Sequence, residues 1–128
     1  MHLCESDLPV PEYARSARRI SLLRQIHAYI DAHLDDPALT PATIAAEHFI
    51  SKRYLHRLFA GLGTSVGECI RDRRLQRVRQ DLADPLLADK TVSAIGARWG
   101  FTSAAHFSRA FRRVHGVPPG KYRLAGMQ

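Results

Sequence analysis

Two cysteines, Cys4 and Cys69, are all that the sequence holds, and neither has a second Cys or a His at ligand spacing. That excludes a disulfide framework and the usual zinc patterns, and it implies a reduced, cytoplasmic chain. No apolar run approaches the ~20 residues of a membrane helix, and residues 1–19 carry none of the kind that marks a signal peptide. No alternating strand pattern competes with the helical ones. No nucleophile, base or metal cluster stands out, so neither an enzyme nor a cofactor is expected; the nearest candidate is the lone Cys69 thiol, which reads better as a small apolar residue on the inward side of a helix. Acids are scarce where bases are dense. Residues 52–128 carry fifteen bases against five acids, whereas residues 1–40 carry four against six. The net charge of +7 is therefore concentrated in one part of the chain. Such a field draws a polyanion, although charge alone serves a solvated surface equally well.

What the chain does have is a repeat. Ile44-Ala45-Ala46 lies fifty-one positions before Ile95-Gly96-Ala97, and Ser51 the same distance before Thr102. The register then slips by one, so that Leu55-His56-Arg57-Leu58-Phe59 matches Phe107-Ser108-Arg109-Ala110-Phe111, and by one more, so that Gly63 matches Gly116. A copy of about thirty residues is too short to bury its own apolar face, so the two copies should support each other. Each reads as two short helices around a turn. Thr40 before Pro41 supplies an N-cap and a first-turn proline, starting a helix at Ala42. Ser51 and Thr102 should cap the two following helices, and Gly100 fits a left-handed turn position. The first copy has Phe49 at the glycine position, which predicts a different turn there.

Between the copies, Ser65-Val66-Gly67-Glu68 has the form of a capping box, followed by a helix with Ile70, Val78 and Leu82 on one face. A helix over Val66–Ala83 would span about 27 Å at ~1.5 Å per residue. Upstream, Ile20, Leu23, Ile26, Ile30 and Leu34 recur at helical spacing and stop at Asp35-Asp36-Pro37. Residues 1–19, with Pro9 and Pro11 and no sustained period, read as a tail or linker. The expected division is thus 1–19, then 20–84 with the first copy and the connecting helix, then 85–128. His27, His33, His48 and His115 read as surface or turn residues.

The residues from Leu22 to Arg123 resemble the AraC/XylS transcriptional regulators. The resemblance is carried by Ile95-Gly96-Ala97-Arg98-Trp99-Gly100-Phe101, His106-Phe107-Ser108-Arg109-Ala110-Phe111, Gly116, Pro118-Pro119 and Tyr122-Arg123. It implies an all-α, homeodomain-like unit of seven helices, in which two helix-turn-helix subdomains joined by a long helix read successive major grooves of double-stranded DNA. It also implies which side chains read. In the first reading helix these are Arg53, His56 and Arg57, with Lys52 on phosphate. In the second they are Ala104, Ala105, His106, Ser108 and Arg109. Arg57 is the strongest candidate, because a guanidinium bonds guanine O6 and N7 together. Ala104 and Ala105 have thymine methyls or nothing to touch, and His106 reads as a packing or phosphate residue more readily than as a base reader. The match of Arg57 to Arg109 allows either a shared reading task or a shared internal salt bridge.

Leu55, Leu58, Phe59, Trp99, Phe107, Ala110 and Phe111 fall at core spacing. Arg112, Arg113, Lys121 and Arg123 flank the second motif as phosphate clamps, and some of the connecting-helix arginines are expected to pair with Asp72 and Asp81. Family members commonly attach such a unit to an effector-binding or dimerisation domain, and RNA polymerase subunits are further expected partners of an activator. A stand-alone regulator and the DNA-binding part of a longer protein both fit, the second better. No membrane or metal role is expected, and two motifs in one chain require no dimer. The competing reading is a basic helical module that binds an acidic protein and touches DNA only non-specifically.

Overall fold

The computed structural model describes residues 11–126. In chain order these form α1 (Glu12–Ala32), α2 (Pro41–Glu47), α3 (Lys52–Ala60), α4 (Val66–Ala83), a 3₁₀ turn at Pro85–Leu87, α5 (Val92–Arg98), α6 (Ala104–His115) and α7 (Pro119–Gly126). The described residues include no strand. The first subdomain packs α1 on α2, α2 on α3 and α3 on α4; the second packs α5, α6 and α7 on α4. One continuous core runs from Ile26 to Phe111, and α4 contributes Val66, Ile70, Leu75, Val78 and Leu82 to it. All seven residues expected at core spacing are buried.

Helix starts follow the short polar residues of the sequence. Thr40 and Thr43 close a reciprocal capping box, with Thr43 N–H donating to Thr40 Oγ1 at 3.2 Å and Thr40 N–H to Thr43 Oγ1 at 3.0 Å. Ser51 caps α3 and Ser65 caps α4. The box expected at Ser65 is only half made, because the Glu68 carboxylate accepts from the Thr64 hydroxyl at 3.2 Å instead. The cap of α6 is Ser103, one residue beyond the expected Thr102. Thr102 is therefore the inserted residue that slips the repeat from fifty-one to fifty-two positions.

The two inter-helix turns are built alike, against the expectation that Phe49 would force a different one. Phe49 N–H donates to Ala46 O and Ile50 N–H to Ala45 O at 3.2 and 3.0 Å; Gly100 N–H donates to Ala97 O and Phe101 N–H to Gly96 O at 3.0 and 2.9 Å. These are the paired bonds that end a helix through a left-handed residue. Gly100 has φ +93°, and Phe49, the one non-glycine with positive φ among the described residues, has φ +56°. A phenylalanine can hold that position because its ring is 96% exposed and has nothing to collide with. The strain stays in the backbone, at about 1–2 kcal/mol.

Packing behind the turns is matched pairwise. In the second copy a Cβ on Gly96 would lie 2.7 Å from the Phe107 ring, so the large aromatic requires the missing side chain. In the first copy Ala45 and Leu55 occupy the same two places, and both are buried. The helix-turn-helix thus admits either small partner provided the facing residue is sized to it.

Two departures concern α1. It begins at Glu12, inside the stretch expected as tail or linker, and residues 1–10, Cys4 included, lie outside the described residues. Its first two turns, EYARSARR, are helix formers with no buried face, which an apolar-periodicity reading does not register. Ile20, expected on the buried stripe, is 53% exposed; burial in α1 starts at Ile26.

Phe49→Gly should raise the unfolding free energy by about 0.5–1 kcal/mol, the left-handed strain relieved less the glycine's greater unfolded-state entropy. Gly96→Ala should lower it by about 1–3 kcal/mol through overpacking. Urea denaturation of the two variants measures both, and equal midpoints would contradict the left-handed strain at Phe49 and the close approach of Phe107 to Gly96.

Candidate nucleic-acid interface

The burial of Leu55, Leu58 and Phe59 on α3 decides what its other side presents. Arg53, Arg57 and Ala60 form the outward crest, with Lys52 and His56 beside them, and all five are exposed. On α6 the burial of Phe107, Ala110 and Phe111 does the same, leaving Ala105, Arg109 and Arg112 along the crest. Ala104 and the half-buried Ser108 flank it on one side, His106 and Arg113 on the other, toward α4. Arg57 and Arg109 occupy equivalent crest positions. Neither makes an ion pair among the described residues, so the shared internal salt bridge is not formed. The Arg57 guanidinium lies 5.8 Å from the centre of the Tyr54 ring, and Arg19 of α1 shares a surface hollow with both.

The cations flanking α6 differ from one another. Arg112 is exposed on the crest and Lys121 is exposed on α7. Arg113 makes a loose, half-exposed pair with Asp72 at 3.6 Å, which contributes little in solvent. Arg123 donates to the carbonyls of Leu87 and Lys90, so its guanidinium ties α7 to the loop after the 3₁₀ turn.

The connecting helix holds its arginines inward and sideways. Arg73 pairs with Asp31 and bonds the His27 ring, Arg74 donates to Leu34 O and Asp36 O, and Arg79 donates to the Tyr122 hydroxyl. Arg77 reaches Asp31 O. These bonds fasten α4 to α1 and α7. Asp72 and Asp81, expected to pair within α4, instead take partners from the second subdomain. Asp81 accepts from Trp99 Nε1–H at 2.8 Å and faces Arg98 at 3.5 Å, while Arg77 and Arg98 lie 5.9 and 5.2 Å from the Trp99 ring. The end of α5 is thereby pinned to α4.

A helix-turn-helix domain profile matches residues 44–125. The transcriptional activator NphR of a Rhodococcus species is 34% identical over 110 residues, 86% of this chain and 32% of NphR. The multiple antibiotic resistance protein MarA of Escherichia coli K12 is 30% identical over 107 residues, 83% of this chain and 81% of MarA. A Chromobacterium violaceum transcriptional regulator with an AraC-type DNA-binding domain superposes with a TM-score of 0.77 at 31% identity, covering 88% of this chain and 97% of that one. The chain belongs to the AraC/XylS family. The DNA-binding domain of AdpA, solved in complex with a target DNA, has a TM-score of 0.68 at 29% identity, covering 80% of this chain and 90% of that domain. The chain spans about a third of the length of NphR and four fifths of MarA.

Within this AraC/XylS unit, four histidines expected at surfaces or turns have structural contacts. His48 Nδ1 is 2.7 Å from Ile44 O and His33 Nδ1 is 2.8 Å from Tyr29 O, and both rings pack on Tyr29. His27 meets the Phe59 ring edge-on at 5.6 Å, and His115 packs on Phe111 with Nε2 3.3 Å from Leu75 O. Burial lowers the pKa of both His27 and His115, with Arg73 adding to the first and Arg79 to the second. The arginines beside them, Arg73 and Arg79, lie forty-six and thirty-six residues away in sequence, so their existence was legible but not their approach.

Because the folded state holds these two histidines below the unfolded value near 6.5, the unfolded chain binds more protons as pH falls through that range. Stability should be fully present above about pH 6.5 and decline as pH drops toward the lowered folded values. Urea midpoints from pH 7.5 to 5 should show that slope, and the His27→Gln/His115→Gln variant should flatten it; an unchanged slope would contradict the assignment.

Proposed function

We propose that the chain is a sequence-specific regulator of transcription that lays α3 and α6 in successive major grooves of double-stranded DNA. The observation that carries this reading is the pair of equivalent crests, Arg53-Arg57-Ala60 and Ala105-Arg109-Arg112, mounted on helices that share one rigid connector. A span of about 27 Å for α4, plus its flanking turns, suits groove faces ~34 Å apart on one side of B-DNA. The DNA complex of AdpA supports the same use of the fold.

Arg57 and Arg109 read base edges, guanine being the best partner of a guanidinium, with Arg53 and His56 on the first crest. Ala104 and Ala105 meet thymine methyls, and Ser108 bonds whichever edge it reaches. Lys52, Arg112, Arg113 and Lys121 hold phosphates; Arg123 serves there only by releasing its two carbonyls. His106, turned toward α4, sits closer to backbone than to bases. The unit acts in the cytoplasm without a metal or catalytic step. NphR is named an activator, and activation is the sign of regulation proposed here, with RNA polymerase subunits and an effector-binding or dimerisation domain as the further partners.

Selection from a random duplex pool should enrich a bipartite site with half-sites about one helical turn apart. Arg57→Ala and Arg109→Ala should each weaken that site by about 1–3 kcal/mol and relax preference in a different half. A pool without enrichment, with weak and salt-labile binding to every duplex, would instead establish a basic protein-interaction module.

A further inference from the structure

The largest cleft described in the molecule, about 350 Å³, lies between the two subdomains. Its floor is apolar, formed by Leu39, Ile70 and Trp99, and its polar lining is Thr40, Arg71, Arg74, Thr102, Ser103 and His106. No acid lines it. Arg74 is spoken for by the carbonyls of Leu34 and Asp36. Arg71 is not. Of the five arginines on α4, Arg73, Arg74, Arg77 and Arg79 each hold a carboxylate, carbonyl or hydroxyl, whereas Arg71 makes no hydrogen bond or ion pair among the described residues. Its Nε is sealed from solvent without a partner. A buried guanidinium donor left unsatisfied is costly, and such a group marks a place where an acceptor is missing.

We infer that this cleft is a seat for a phosphate-class oxyanion, bound by Arg71 and assisted by His106, the hydroxyls of Thr40 and Ser103, and the amides opening the twelve-residue α6. The inference deepens the regulator reading and rests on it for the favoured source of the anion. The cleft joins the start of α2 in the first subdomain to the first turn of α6 in the second, so DNA engaged by both subdomains would carry its backbone past it. A phosphate held there reports that both halves are seated, because the cleft is made of α2, α4 and α6 together. A small free phosphoester has the same chemistry and would act on the same seat before DNA arrives.

Trp99, the only tryptophan of the chain, lines the cleft and serves as an internal reporter. The experiment has two arms, each on the wild type, Arg71→Met and Arg71→Lys. In the first, the free protein is titrated with inorganic phosphate against chloride at constant ionic strength while Trp99 emission is followed. In the second, the selected duplex carries a single neutral methylphosphonate moved step by step through its centre. With backbone as the source, one central position costs the wild type about tenfold or more in affinity. Arg71→Met binds more weakly by a similar factor, ignores that position and has a salt slope shallower by about 0.9. Arg71→Lys recovers part of the loss. With a free anion as the source, Trp99 responds to phosphate in the wild type but not in Arg71→Met, and the methylphosphonate scan is flat. The melting temperature of Arg71→Met should be equal or higher, since an unsatisfied donor has been removed; a fall of several degrees would make Arg71 a structural residue and overturn the seat. No response in either arm overturns it as well. A wild type that selects no duplex defeats the regulator reading, while the phosphate titration still decides the seat.

Discussion

The burial of one helix by two subdomains is the constraint on which the rest of the structure depends. The five apolar side chains of α4 are buried along its length, and neither copy of the helix-turn-helix has enough apolar surface to close a core without them. The ties at the helix surface then fix how each copy sits. Arg73 and Arg74 fasten α4 to α1 and to the segment behind it, Asp81 holds Trp99 and Arg98 at the end of α5, and Arg79 meets Tyr122 of α7. Hydrophobic burial supplies the attachment and directional polar contacts supply the angle. The spacing of the reading helices is therefore a property of α4 rather than of a flexible linker.

Charge is sorted by the same arrangement. Arginines on α4 and α7 are mostly consumed by carbonyls and carboxylates inside the protein, where they act as cross-links. Those on the crests of α3 and α6 have no ion-pair partner among the described residues. A count of bases treats the two groups alike; the first still adds its charge to the field, yet only the second leaves its guanidinium donors free for a polyanion. The first copy and the second also differ in reach: Arg112 extends the second crest where Ala60 ends the first. The half-sites are accordingly expected to differ in base preference and in their dependence on salt.

Most of the fold was legible because its signals are local. Ser51, Ser65 and Thr40 cap helices within three residues of themselves, and the α4 limits follow from Ser65 on one side and Asp84-Pro85 on the other. The core was legible because its spacing is helical. What escaped was set by chemistry that local patterns do not carry. Phe49 keeps the glycine's turn since an exposed ring pays no packing penalty for a left-handed backbone. Thr102 lost the cap because the repeat gains a residue just before Ser103. The first turns of α1 stay helical without a buried face. Asp72, Asp81, His27 and His115 found partners seventeen or more residues away. For the candidate interface, the exposed crests of α3 and α6 were legible from the repeat, whereas the inward use of Arg123, the turn of His106 toward α4 and the isolation of Arg71 required the packed structure.

If α4 sets the distance between readers, affinity must depend on where the half-sites lie around the DNA. The direct measurement inserts base pairs one at a time between the halves of the selected site and follows binding. A rigid α4 predicts a steep loss over the first insertions, near-complete at about five, where the second half-site turns to the opposite face of the duplex. Affinity that stays flat as spacing changes would show that the two subdomains move independently, and it would contradict the rigid connector.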